Sequence, residues 1–152
     1  MFFSVKFRVA LAGLVVAGGA AAAAALGPAG PAVGQSSPPI QLQLQVNSPG
    51  TLVAKGAGVD VPVAASCSGN LVDSATVFVI LTEAVGKNLA SGSGSAVIDC
   101  TGATQNVTVV VAAQSGSAFR KGSAQANAGI NACTVDFSTC ANQQAQPTIK
   151  IG

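Results

Sequence analysis

The sequence predicts an all-β domain, an antiparallel β-sandwich of about seven strands closed by two disulfides. Three observations carry this. Hydropathy alternates with a period of two along several segments beyond residue 35, and none of them keeps a helical period. Clusters of Gly, Pro, Asn and Ser punctuate these segments about every ten residues. All four cysteines, Cys67, Cys100, Cys133 and Cys140, lie in the same part of the chain, and an even count in a small exported domain points to a disulfide framework.

The first 35 residues have a different character. Lys6 and Arg8 precede an uninterrupted Ala/Val/Leu/Gly run from Val9 to Leu26, and Gly27 to Gln35 brings Pro28, Pro31 and small residues. This is the order of a secretory signal. Cleavage after Ala32-Val33-Gly34 and cleavage within Ala20 to Ala25 both fit. The competing reading is a retained anchor, because the run approaches the ~20 residues of a bilayer span. Its Ala and Gly content makes it weakly hydrophobic, which favours cleavage. No cysteine follows the run, so it is not a lipoprotein signal. The expected organisation is a signal peptide over 1–35 and one secreted, extracellular domain over 36–152, free of the membrane once the signal is removed.

Ile40 to Val46 places Ile40, Leu42, Leu44 and Val46 on one face and Gln on the other, the pattern of a half-buried strand. Asn47-Ser48-Pro49-Gly50 turns the chain, with Thr51 to Ala54 as a short continuation. The next strand sets Val59, Val61, Val63, Ala65 and Cys67 in one phase. Pro62 removes a ladder donor there, so an edge position or a bulge is expected near it. Ala75 to Thr82 is the apolar centre: Val77, Phe78, Val79, Ile80 and Leu81 are consecutive, too short for a membrane span and β-branched enough for a strand. Glu83 closes it and Gly86-Lys87-Asn88 forms a hairpin turn. Ser91 to Ser95, S-G-S-G-S, reads as a flexible loop. Alternation resumes over Ser95 to Cys100, Gln105 to Ala113 and Ser123 to Ala132, the last with Ala124, Ala126, Ala128, Ile130 and Ala132 on one face. Small residues repeated on a core face imply close approach by a facing layer. Thr148 to Ile151 makes a short final strand after a polar stretch from Asn142 to Pro147.

Four cysteines allow three pairings, and strand phase chooses among them. Cys67 and Cys100 both fall in phase with a core, from different strands. Cys133 breaks the phase of its strand and stands seven residues before Cys140, which suits a local loop. Cys67–Cys100 and Cys133–Cys140 are therefore expected.

Composition narrows the chemistry. Lys6 and Arg8 account for the formal charge of +2; beyond them Lys55, Lys87, Arg120, Lys121 and Lys150 balance Asp60, Asp73, Glu83, Asp99 and Asp136. A neutral domain lacks the basic footprint of nucleic-acid or anionic-lipid binding. There is no His, Trp or Tyr. That removes imidazole-activated nucleophiles, imidazole metal sites and the stronger stacking platforms. The carboxylates are dispersed, with no calcium loop and no adjacent pair. We expect no catalytic residues, no metal and no cofactor. Cys133 and Cys140 lack the C-x-x-C spacing of a redox pair, and the sequon Asn106-Val107-Thr108 lies within an apparent strand, where modification is not expected.

An inward Cys67 and Cys100, the segment Ser115-Gly116-Ser117-Ala118-Phe119-Arg120-Lys121-Gly122, the Ala-alternating strand, and Ala132-Cys133 with Cys140, all behind a signal peptide, resemble small secreted immunoglobulin-like β-sandwich proteins of actinobacteria. The likeness spans nearly the whole domain and implies an Ig-like fold and an extracellular address only, since the family has no assigned activity. Neocarzinostatin-type chromophore-binding proteins are a more distant likeness; this chain departs from them in its cysteine spacings and in lacking Trp.

Two places stand out as candidate partner contacts. Phe119-Arg120-Lys121 is the one clustering of positive charge in the domain, against the plainer reading that Phe119 plugs the end of the sandwich. Phe78 and Ile80 form an apolar second face of the central strand, which calls for a cover or a partner. The expected function is a non-enzymatic structural or interaction module that meets a protein or cell-envelope component. The runner-up is a carrier holding a small apolar ligand between loops at one end of the sandwich.

Overall fold

The computed structural model describes residues 39–152; the expected signal peptide, its cleavage site and the anchor alternative lie outside the described residues. Nine strands follow in order: β1 (Gln41–Val46), β2 (Thr51–Val53), β3 (Gly58–Ser68), β4 (Ser74–Val85), β5 (Asn88–Asp99), β6 (Gln105–Gly116), β7 (Gly122–Cys133), β8 (Cys140–Ala145) and β9 (Thr148–Ile151). All ladders between them are antiparallel. They join in one path, β1-β3-β6-β5-β4-β7-β8, with β2 added to β3 and β9 added to β7. The sheet is folded over on itself, and β1 and β8 come alongside each other without a ladder between them.

The alternating residues meet inside this fold. Val59, Val61, Val63, Ala65 and Cys67 of β3, Val109 and Val111 of β6, and Ala75, Val77, Val79 and Leu81 of β4 are buried together with the Ala-rich face of β7. Ile149 and Ile151 complete one end. The small side chains of β7 leave the larger valines of the facing strands room to fill the interior at normal density.

Ser91 to Ser95 is not a loop. It lies within β5, where the strand passes from one layer to the other: β5 pairs with β4 along its whole length and with β6 only near its start, through a register shift between Ser91 and Gly92. The glycines permit this, because a Cβ at Gly92 or Gly94 would collide with the carbonyl oxygens of Ala112 and Val110. A segment that looks flexible by composition is thus a close backbone crossing.

Pro62 sits inside β3 rather than on an edge, opposite Thr108 of β6. Its carbonyl accepts Asn47 N–H at 2.9 Å, so its nitrogen, on the same side, faces the turn between β1 and β2, where no ladder donor is required. The polar stretch after Cys140 forms β8, which needs only one neighbour, β7, and can leave its Asn and Gln side chains exposed.

Both disulfides match the phase argument. Cys67 joins Cys100 across 33 residues, and Cys133 joins Cys140 across seven, from directly opposite positions on β7 and β8. The two ends of the described chain lie far apart along the strands: Ile40 stands beside Gly69, whereas Gly152 exchanges hydrogen bonds with Gly50 and Leu52, near the start of β3.

Candidate interaction site

The structure separates the expected contact residues. Phe119 is 2% exposed and unavailable to a partner; its N–H donates to the Gly56 carbonyl at 2.9 Å, and it closes the end of the core. Arg120 and Lys121, beside it, are exposed. On β4, Phe78 is half-buried, its ring lying over Gly129 of β7, its register partner. Ile80 is 42% exposed, but it stands between Ser93 of β5 and Asn127 of β7. The outer face of β4 is therefore covered in part by its own aromatic ring and interrupted by polar neighbours, with Val97 of β5, opposite Thr76, as the other exposed aliphatic residue beside it.

A different group of apolar side chains projects from the end of the fold that carries the disulfides. Phe137 is 80% exposed, Leu71 63% and Val135 57%. Val135 and Phe137 belong to the loop closed by Cys133–Cys140, and Val135 N–H donates to the Leu71 carbonyl at 2.9 Å, which fixes the second segment beside the first.

This loop is held from within. Thr134 is buried; its N–H donates to the Thr139 carbonyl at 2.9 Å and its hydroxyl accepts from Thr139 N–H at 3.2 Å. One carboxylate oxygen of Asp136 accepts the Thr134 hydroxyl at 2.6 Å, the Ser138 hydroxyl at 2.9 Å and the Ser138 N–H at 3.2 Å. These bonds favour the charged form and pull the Asp136 carboxyl from its ordinary 3.8 to about 2, the Thr134 hydroxyl contributing most. Phe137 N–H donates to the Thr134 carbonyl at 2.8 Å, and Phe137 itself adopts the left-handed conformation with φ of 55°. Leu71 does the same with φ of 63°. Such conformations are uncommon for residues with a Cβ and cluster at binding sites, where the surrounding structure enforces them.

Sequence reasoning passed over this site. One signal was present: Phe137 is one of only three phenylalanines beyond the leader, and it falls in a short loop closed by its own disulfide, which is too small to bury it.

The fold also sorts the charges that the sequence balances. Asp73, Asp99 and Asp136 lie at the disulfide end, around the start of β4, the end of β5 and the stapled loop. Lys55, Lys87, Arg120, Lys121 and Lys150 lie toward the other end, at the turn before β3, the β4–β5 turn, the β6–β7 loop and β9. Of the two carboxylates in that half, Glu83 is buried and Asp60 is half-buried on the flank of β3. One end is acidic and carries the apolar projection; the other is basic.

Between the β4–β5 turn and the β6–β7 loop, the basic end holds an open recess of about 860 Å³. Its lining includes Lys87, Asn88, Ser91, Ser115 and Ser117, with Leu89 as an exposed apolar wall. Among the described residues, no three of His, Cys, Asp and Glu converge on a metal-sized site, and no helix is long and apolar enough to cross a membrane. No family model matches the chain, and no curated protein or solved structure matches it either.

Proposed function

We propose that this chain is an exported, non-enzymatic interaction module of the secreted immunoglobulin-like kind found in actinobacteria, and that it docks through the Cys133–Cys140 loop and Leu71. The observation that carries the reading is the exposure of Leu71, Val135 and Phe137 on a loop made rigid by a disulfide and by the Asp136 bracket. Ordering these side chains in advance lowers the entropic cost of binding, and an aromatic anchor is the usual centre of an interface. The partner is a protein or cell-envelope surface with an apolar recess flanked by cations, since Asp73 and Asp136 border the projection. The two disulfides support an oxidising, extracellular setting.

The carrier reading needs an apolar cleft between loops. The recess at the basic end is open to solvent and has Leu89 as its one large apolar side chain among Ser, Asn and Lys, so it does not enclose a small apolar compound on all sides as a carrier site would.

The test compares surface retention of the exported protein on its own producing cells for three forms: wild type, Val135→Ser/Phe137→Ser, and Ile80→Ser. Loss of retention in the loop variant alone is expected. Equal retention of the loop variant, or loss only with Ile80→Ser, refutes this assignment.

A further inference from the structure

The partner described above, an apolar contact beside cations, has a counterpart at the opposite end of this same chain, where Leu89 forms an exposed wall of an open recess and Lys87 stands at its rim. We infer that copies of the chain associate head to tail: the loop bearing Val135 and Phe137 of one copy seats in the recess between the β4–β5 turn and the β6–β7 loop of the next. The inference rests on the reading of that loop as the docking element and supplies its partner.

Three features of the molecule carry it. The first is charge: Asp73, Asp99 and Asp136 cluster at one end, and Lys87, Arg120 and Lys121 face outward at the other. Opposed fields of this kind steer unlike ends together and oppose like ends. The second is shape. A recess of about 860 Å³ has room for an aromatic side chain, and Phe137 is 80% exposed. The third is chemistry inside the recess: Leu89, an exposed wall residue, gives the ring an apolar contact, while Lys87 at the rim meets the carboxylates that border the loop. A contact of this type is heterologous, joining two different patches, so it leaves a free loop at one pole and a free recess at the other. Since the two patches lie at opposite ends of the strands, successive copies add in a line and the interface does not saturate at a dimer.

Sedimentation of the exported, signal-processed protein tests this with complementary variants. Val135→Ser/Phe137→Ser removes the projection and keeps the recess; Lys87→Glu/Leu89→Ser removes the recess and keeps the projection. All four positions are exposed, so each variant should keep the wild-type circular dichroism and melting temperature. Wild type is expected to show an average mass that rises continuously with concentration. Each variant alone should stay monomeric, and an equimolar mixture of the two should form a one-to-one dimer and nothing larger. Raising salt from about 0.05 M to about 0.5 M should weaken the association about tenfold or more, because the rim charges are screened. A monomeric wild type overturns the head-to-tail contact, as does a mixture that stays monomeric. A dimer abolished by the loop variant but untouched by the recess variant also overturns it, indicating a loop-to-loop contact. If wild type is monomeric and yet loses cell-surface retention with Phe137→Ser, the docking loop stands and its partner is another molecule.

Discussion

The carboxylate of Glu83 accepts the backbone N–H of Arg120 at 2.9 Å, tying the last fully buried position of β4 to the loop after β6. Glu83 is in phase with Val77, Val79 and Leu81 and is buried with them, where a charge without partners is costly. Gly122 keeps space for it, since a Cβ there would stand 3.1 Å from Oε1. Replacing Glu83 with Ala removes a hydrogen bond to a charged group along with buried contacts, and should lower the unfolding free energy by about 2 to 3 kcal/mol. Glu83→Gln, which still offers an acceptor, should cost about 1 kcal/mol. Urea denaturation measures both, and a Glu83→Gln variant as stable as wild type would show that the charge adds nothing.

Phe78 and Gly129 form a matched pair on the outer face. A Cβ on residue 129 would collide with the far end of the Phe78 ring, which can swing outward into solvent at the cost of its cover. Gly129→Ala should therefore destabilise by about 1 kcal/mol in the wild type and be neutral, or stabilising through strand propensity, when Phe78 is already Ala. A double-mutant cycle reads this directly; simple additivity would mean that the ring does not rest on the glycine.

Gly92 and Gly94 differ from Gly129 in what a side chain would strike. There the obstacle is backbone carbonyl on β6, which cannot rotate away. Gly94→Ala should cost at least about 3 kcal/mol or prevent folding, whereas Ser95→Ala, one exposed position along, should stay within about 0.5 kcal/mol. Thermal melts of the two variants side by side decide the matter.

The pH response of the stapled loop follows from Asp136. Its carboxyl stays charged to a lower pH in the folded protein, about 2 against 3.8, so its stabilising bonds are complete above the unfolded value and are lost as pH falls through the folded one. Amide resonances of Thr134, Phe137 and Ser138 should shift together in a step centred at about pH 2. In Asp136→Asn that step should vanish; a step that persists would place the titrating group elsewhere.

The two disulfides should contribute unequally. In the chain-entropy account, closing the 33-residue separation of Cys67–Cys100 is worth about 4 kcal/mol and closing the seven-residue separation of Cys133–Cys140 about 2.5 kcal/mol. Paired Cys→Ala variants test the ranking. The second pair should also raise hydrogen exchange at Val135 and Phe137 while leaving β4 protected.

Alternation made β1, β3, β6 and β7 legible, because each has a more polar face and the period of two leaves a single register that buries the other; β4 was legible as a strand from its five consecutive large apolar residues instead. The same phase correctly paired Cys67 with Cys100. Ser91 to Ser95 was illegible for the opposite reason: its glycines answer to a neighbour across the fold, Val110 and Ala112, and local composition carries no trace of that neighbour. Phe119 was ambiguous between surface and plug, since a lone aromatic beside two charges has no period to read. The apolar end was hidden because Leu71 and Phe137 are separated by 66 positions in sequence and only the β7–β8 hairpin, with Val135 bonded to Leu71, brings them to one place. Charge segregation escaped a net count for the same cause: a sum has no direction.

The placement of Ile40 and Gly152 toward opposite ends of the strands has a mechanical consequence. Tension applied through these two residues runs along the strand axes, so β1 is drawn lengthwise against β3, and β9 lengthwise against β7. In that shearing geometry the cross-strand hydrogen bonds, which lie perpendicular to the pull, are loaded all at once instead of being peeled singly. The longest ladder, β4 with β5, lies deeper in the fold and is not the first to bear load. A domain held this way resists extension far better than one gripped at both ends of a hairpin, and copies stacked along the same axis would pass that load from one to the next.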